Sequence, residues 1–340
     1  MNKIKRFIVI SLVLLLSFTS TSSIVSGASY QNLYILMLNV GAGDSFYIEM
    51  PNGDDILTDG GTKSWGYKVV EYLKKLEPGM TLEAVVSTHP DSDHSGGLQP
   101  VFDKMVVKSF YYPTDAGYTS DTAKRLIALS KKEKGCKIYN AKPGIKLFGG
   151  NGAYLKFCHR NYNYNTPNKD SVMSYIKYNK LDVLLTGDAD NGAEHYDIKR
   201  ANLDIVQAPH HGSKTSSSSE YIKAFDPEHV LVSTDGKSYG HPHKEALNRY
   251  AKYDKNIKFY RTDKLGTVKI KSDGYTWSFS KQGIKISTSV SGNVTVYITK
   301  TGSRYHKIKS CKGLSNAKAI YKSSKTKAVS TGLTKCKLCY

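Results

Sequence analysis

The chain has 340 residues, enough for one large domain or two ordinary ones with a well-buried core. Hydrophobic residues at 39% and charged residues at 23% exclude a collagen-like repeat, a low-complexity tether and a polytopic membrane protein. Forty-nine Lys and Arg against 29 Asp and Glu give a net charge of +20, and five cysteines are too few for a disulfide-stapled miniprotein.

The first 28 residues read as an export signal. Lys3, Lys5 and Arg6 form a positive start, and Phe7 to Phe18 is an apolar run broken only by Ser11 and Ser17. At about 12 residues that run is short for a ~30 Å hydrocarbon core, so cleavage near Ser26-Gly27-Ala28 is expected rather than anchoring. The expected location is therefore extracellular or cell-wall associated, with no stable transmembrane anchor.

Beyond the signal, strands come first and helices fall between them. Leu33 to Val40 is a strand-length apolar run closed by Gly41-Ala-Gly43, and Ser45 to Met50 alternates before the Pro51-Asn-Gly-Asp54 turn. Apolar residues at 69, 70, 73 and 76 predict a helix over 67–76, ended by Pro78-Gly79. Ala84 to Thr88 predicts a buried strand running into His89, and Thr119 to Lys132 a second helix. Leu181 to Thr186, Asp204 to Ala208 and Val230 to Ser233 repeat one plan, a buried strand that opens onto Asp or His. Strands alternating with helices indicate an α/β class with its chemistry along one sheet edge.

The densest chemistry is His89-Pro-Asp-Ser-Asp-His-Ser-Gly-Gly97, where His89, Asp91, Asp93 and His94 crowd into six residues. Carboxylates and imidazoles packed this closely repel and resist desolvation unless a cation neutralises them. Nitrogen and carboxylate donors suit Zn²⁺ or the harder Mn²⁺. Ser95-Gly-Gly97 is expected to turn the chain through positive φ into a helix beside the site. Further on come Gly187-Asp188, His210-His211 and His241-Pro-His243, more ligand types at strand ends, as a two-metal hydrolase requires.

From about Tyr34 to Trp277 the chain resembles the metallo-β-lactamase superfamily, and within it the soluble hydrolase domain of ComEC/Rec2-type competence proteins. The resemblance rests on Leu38-Asn-Val-Gly-Ala-Gly-Asp44, Leu57-Thr-Asp-Gly-Gly61, Ser87 to Leu98, Asn168-Lys-Asp-Ser-Val172, Leu184 to Asp188, Ala208 to Thr215 and Tyr239 to His243. It implies an αββα sandwich spanning residues 29–283. It also implies that His89 and Asp91 face a first metal, that Asp93 and His94 hold a second, and that Asp188 bridges them. One of His210 and His211 completes the second site, with His210, nearest the strand end, preferred. Asp93 counts as catalytic too, His241 and His243 contact phosphate or protonate the leaving group, and Asp59 supports the metal histidines. The superfamily's third-motif histidine is not evident; Asn168 to Ser171 occupy that stretch. Asn39 and Ala42 replace an acidic residue and a glutamine of the first motif, and the membrane channel segments of the competence proteins have no counterpart.

The C-terminal end differs in charge. Thirteen Lys and Arg and no carboxylate lie between Gly274 and Tyr340. Such a tail attracts polyanions, with DNA or another phosphodiester polymer as the expected partner. After a Ser/Gly linker at 284–293, residues 294–340 resemble small Ada-type zinc modules, with Zn²⁺ on His306, Cys311, Cys336 and Cys339. A disulfide from Cys311 to Cys336 or Cys339 is the alternative. Together these features predict a secreted metal-dependent phosphodiesterase, foremost a nuclease on extracellular DNA. The alternatives are action on wall or phospholipid phosphodiesters such as phosphocholine esters, and a non-catalytic surface DNA-binding protein.

Overall fold

The computed structural model describes residues 32–114, 118–158, 168, 170–190, 202–286 and 295–339. The expected export signal and most of the expected linker lie outside these residues. Among the described residues no helix is long and apolar enough to cross a membrane.

Two mixed sheets face each other. The first orders its strands Trp277–Phe279, Val268–Ser272, Leu33–Met37, Phe46–Glu49, Asp55–Thr58, Ala84–Val86, Ser109–Tyr112 and Lys137–Asn140. The second orders them Lys258–Arg261, His229–Val232, Ile205–Gln207, Leu181–Leu185, Ser174–Tyr178, Tyr154–Phe157 and Lys146–Phe148. In each sheet one half is antiparallel, and the half beginning at Asp55–Thr58 or Leu181–Leu185 is parallel. Parallel strands end at a common edge, and the motif loops all leave from that edge.

Alternation explains the layering. Leu33, Ile35 and Met37 point between the sheets, where they meet Ile176, Val183, Ile205 and Leu231. Leu36, Leu57 and Val85 point outward under Val69, Val70 and Leu73 of the helix Lys63–Leu76 and under Leu98 and Val101 of Leu98–Lys104. On the far side Val206, Val230 and Val232 lie under Ile222 and Phe225 of Ser219–Phe225 and under Leu247 and Tyr250 of Lys244–Tyr253. Helix, sheet, sheet, helix is the expected αββα sandwich. The first helix starts four residues earlier than its apolar spacing indicates, because Lys63 to Gly66 precede the first buried aliphatic turn.

The C-terminal module builds two two-stranded sheets, pairing Thr295–Ile298 with Tyr321–Ser324 and Arg304–Tyr305 with Thr334–Lys335. It docks on the body through its lysines. Lys325 is buried against the carboxylates of Asp226 and, at 3.2 Å, Asp254. Lys335 reaches Asp204 at 3.4 Å and Glu228 at 3.3 Å, and Lys307 Nζ donates to the Lys223 carbonyl at 2.6 Å. Those acceptors directly precede the parallel strands Ile205–Gln207, His229–Val232 and Lys258–Arg261 or close the helices before them. The module therefore sits at the sheet edge opposite the motif loops. Two of the tail's lysines neutralise buried carboxylates instead of facing solvent.

Candidate metal centre

The His89–Gly97 loop is fixed from below before any ligand is considered. Gly97 was expected to turn with positive φ, yet its φ is −73°. Its need for glycine is proximity, since a Cβ would lie 1.8 Å from the Gly60 carbonyl oxygen. Gly43 is equally constrained, because a Cβ there would meet the Asp93 carbonyl oxygen at 1.7 Å. Backbone bonds from Gly97 N to Gly61 O and from Gly60 N to His94 O tie the loop to the strand-end turn after Thr58.

One buried carboxylate sets the tautomers of two histidines. Asp59 Oδ2 accepts from His94 Nδ1 at 2.9 Å and from Thr88 Oγ1 at 2.5 Å, and Asp59 Oδ1 accepts from Thr88 N at 2.9 Å. With the Thr88 hydroxyl proton given to Asp59, Thr88 Oγ1 accepts from His89 Nδ1 at 3.0 Å. His211 Nδ1 donates to the Ser233 carbonyl at 3.0 Å. With Nδ1 so engaged, all three rings turn Nε2 to the same centre, the nitrogen through which an imidazole binds a metal once that atom is deprotonated. Asp59 thus stands behind the ligands, where the sequence put it.

Asp188 occupies the middle. Its Oδ1 lies 3.2 Å from His94 Nε2 and 3.4 Å from His211 Nε2, and Asp93 Oδ2 is 3.9 Å from His211 Nε2. Its Oδ2 lies 3.8 Å from His89 Nε2 and 3.6 Å from His210 Nε2, with Asp91 Oδ2 3.7 Å from His89 Nε2. Of the two histidines, His210 was preferred for the side holding Asp93 and His94; the structure puts His211 there instead. Both residues adopt left-handed backbone, with φ of 51° and 54°, and this tight turn sends their side chains to different sides of Asp188. His210 faces the side where the third-motif histidine was missing, and Asn168 Nδ2 contacts its ring at 3.3 Å. Ser171 Oγ accepts from Asp188 N at 3.2 Å and lies 3.4 Å from His89 Nδ1.

Sequence reasoning missed Asp44 as a candidate ligand. One oxygen each of Asp44 and Asp188 and one ring nitrogen each of His94 and His211 lie within 4.8 Å of one another. Gln207 Nε2 holds Asp44 Oδ2 at 2.5 Å. The available signal was an acidic residue placed directly after the Gly41-Ala-Gly43 turn at a strand end.

The fit to cations can be tested on unsatisfied atoms. His89 Nε2, Asp188 Oδ1 and Asp44 Oδ1 are buried without a hydrogen-bond partner. Three such atoms in one centre are costly unless cations coordinate them. The proton balance agrees. Burial opposes charge on His94 and His211, yet the Asp188 carboxylate prevails and raises both pKa values, while His89, short of such compensation, is lowered by its burial. Protons here fill the role of positive charge that a divalent ion would take over. His241 is buried with its ring 5.3 Å from that of His210 and 6.0 Å from that of His211, and burial lowers its pKa to about 4. His243 lies further out, its Nδ1 accepting from Lys214 N at 3.3 Å.

The module brings together the four residues named for it. His306, Cys311, Cys336 and Cys339 offer one ligand atom each within 4.8 Å. All five cysteines of the chain are free thiols, and Cys311 Sγ is 3.8 Å from Cys336 Sγ, far beyond an S–S bond of about 2.05 Å. A tetrahedral ion with Zn–S bonds of about 2.3 Å separates its sulfurs by about 3.8 Å. Cys339 Sγ lies 3.8 Å from His306 Nδ1, and Lys307 N and Gly313 N donate to the sulfurs of Cys339 and Cys311. Zinc fits this set, and no disulfide joins Cys311 to Cys336 or Cys339.

Residues 38–237 match the model of the metallo-beta-lactamase superfamily. ComE operon protein 3 of Bacillus subtilis is 26% identical over 72% of this chain and 34% of its own length. Recombination protein 2 of Haemophilus influenzae is 27% identical over 64% of this chain and 26% of its own length. The chain thus spans about a third or less of these relatives. Igni18, a metallo hydrolase of Ignicoccus hospitalis, aligns with a TM-score of 0.43 at 15% identity over 69% of this chain and 98% of its own. With ligand loops in register on an αββα sandwich and the matched segment covering more than half its length, the chain belongs to the metallo-beta-lactamase superfamily, and its competence-protein relatives lie on the branch that its motifs resemble.

Proposed function

We propose that this protein is an exported, metal-dependent phosphodiesterase that hydrolyses DNA. The observation that carries the reading is the division of ligands across Asp188. His89, Asp91 and His210 would hold one ion on one side of Asp188, and Asp44, Asp93, His94 and His211 a second on the other. Divalent cations in such a pair supply Lewis acidity toward phosphate oxygens and lower the pKa of a coordinated water. Asp59, acting directly and through Thr88, keeps the imidazoles of His94 and His89 turned for coordination. Asp91 and Asp93 are part-exposed and face incoming substrate, with side chains 44% and 27% accessible. His241, held neutral by burial, suits donation of an N–H hydrogen bond to a departing alkoxide. A carboxylate in place of a second histidine hardens the first site, so Mn²⁺ is proposed as an activator alongside Zn²⁺.

DNA as the substrate is supported by the names of the curated relatives, which refer to competence and recombination, and by the one-signed charge after Asp273. Export rests on the character of residues 1–28, and zinc in the module on its donor set.

The test is cleavage of single- and double-stranded DNA with Mn²⁺, with Zn²⁺ and after chelation, beside bis-(p-nitrophenyl) phosphate and p-nitrophenylphosphorylcholine. Metal-dependent DNA cleavage that disappears in Asp93→Ala is the expected result. Turnover of the choline ester alone would move the substrate to wall or lipid, and no turnover with any metal would leave a binding protein.

A further inference from the structure

Tyr239 is the most exposed large aromatic side chain among the described residues, at 82%, and it stands beside the metal centre. Its ring centroid is 6.0 Å from that of His241, which in turn lies 5.3 Å from His210. A tyrosine so open to water forgoes the stabilisation that burial would give it. Its backbone is left-handed as well, with φ 53°, a conformation unfavourable for any residue but glycine. The fold nevertheless fixes it there. Asp235 accepts from Lys237 N, Ser238 N and Ser238 Oγ at 2.9, 2.8 and 2.6 Å. Thr234 Oγ1 accepts from Gly236 N at 3.0 Å and donates to His241 O at 3.1 Å, pinning the loop at both ends. Three exposed lysines lie on the motif segments around it: Lys214 in the loop after His211, Lys237 two residues before Tyr239, and Lys244 at the start of the helix Lys244–Tyr253. Lys214 is placed by the bond from its N–H to His243 Nδ1 and by its own carbonyl, which accepts from Arg249.

A rigidly presented aromatic face beside cationic side chains is the arrangement that takes one base and the flanking phosphates of an unpaired strand. We propose that Tyr239 stacks on the base next to the scissile phosphate, with Lys214, Lys237 and Lys244 contacting neighbouring phosphates, and that the site therefore selects single-stranded DNA. This rests on the DNA-hydrolysing reading above and adds strand preference to it. A duplex keeps its bases stacked on one another and must first release one to reach the tyrosine. Every base has a π-face, so the contact carries strand selectivity without sequence selectivity.

The experiment compares the wild-type protein with Tyr239→Ala and Tyr239→Trp on three substrates. These are a single-stranded oligonucleotide, its duplex, and an equally long strand whose sugars all lack bases. Thermal unfolding of the variants checks that the fold is intact. For Tyr239→Ala, kcat/KM on the single strand should fall about 5- to 100-fold, mostly through KM. Tyr239→Trp should stay near wild type, and wild type on the baseless strand should match Tyr239→Ala, which loses nothing further there. Unchanged cleavage of the single strand by Tyr239→Ala, or equal losses on strands with and without bases, would overturn the proposal while leaving the nuclease reading intact. A wild-type protein that cleaves only small phosphodiesters would overturn both.

Discussion

The two clusters of ligating side chains are built on opposite principles. The centre at Asp188 is assembled from loops that a finished sandwich already holds in place, with Asp59, Gln207 and the Ser233 carbonyl as supports. The Cys/His cluster sits in a module whose apolar core amounts to Val296, Tyr305 and Ala328 plus the packed cysteines and Leu314. In the body the fold makes the metal site; in the module a metal would make the fold. Their donors match that division, soft thiolates for a closed structural site and carboxylates for an open one that admits substrate. They also stand at opposite edges of the second sheet.

The largest effect is expected from Cys336→Ser. Structural zinc contributes on the order of 10 kcal/mol of folding free energy in small modules. The module should lose its protected amides in hydrogen exchange, while the body keeps a cooperative transition; a module that stays protected would show that its fold does not depend on the ion. Next in size is Lys325→Ala. It leaves Asp226 and Asp254 without their cation in a buried setting, which costs about 3–5 kcal/mol. Lys325→Met, with Asp226→Asn and Asp254→Asn, should recover much of that stability in urea denaturation, because the isolated charges are then gone. Failure of the triple variant to recover would mean that the pairing is not what holds the module down.

Asp59→Asn addresses the other cluster. The amide keeps the shape of the carboxylate, but its NH₂ can displace the bond from His94 Nδ1–H and turn that ring toward the wrong tautomer. Metal affinity of the body or its turnover should fall about 10- to 100-fold. Competition with a chromophoric chelator measures this, and affinity of the Cys/His set should not move. A similar loss at both sites would point to general unfolding.

The smallest expected effect concerns pH at the docking edge. Burial lowers the pKa of His229 to about 4, and its ring packs on Phe279 and Tyr260. The unfolded chain takes up this proton near pH 6.5. The stability His229 contributes is fully present above pH 6.5 and is lost as pH falls from there toward 4. In His229→Gln the slope of the urea midpoint over that window should flatten; an unchanged slope would assign the acid sensitivity to other groups.

Much of the site was legible because strand ends and ligand motifs coincide in sequence. After Asp182 the strand Leu181–Leu185 has apolar residues on both faces, so its end is marked by the next polar residues, Thr186 and Asp188. Other features depend on distances that no local pattern encodes. Asp44 joins the centre only because the first sheet lays its turn beside Gln207 of the second. Which of His210 and His211 faces which side is decided by two successive left-handed residues, a feature invisible to spacing. The tail read as a free polycation because its buried partners, Asp204, Asp226 and Asp254, are scattered through the second half of the body. Burial of Lys325 and Lys335 follows from tertiary docking, which charge counting does not sense.

Turnover is proposed to depend on the ions that the residues around Asp188 would hold and not on an ion in the module. The most direct measurement follows bound metal and DNA cleavage together while Mn²⁺ or Zn²⁺ is returned to chelated protein, in wild type and in Asp188→Ala. Loss of Lewis-acid stabilisation is worth several kcal/mol, about a thousandfold or more in rate. Asp188→Ala should retain an ion on the Cys/His set, lose the others and fall in rate by at least that factor. An Asp188→Ala protein that cleaves DNA at the wild-type rate, or wild-type turnover that is complete once only the Cys/His ion is bound, would contradict it.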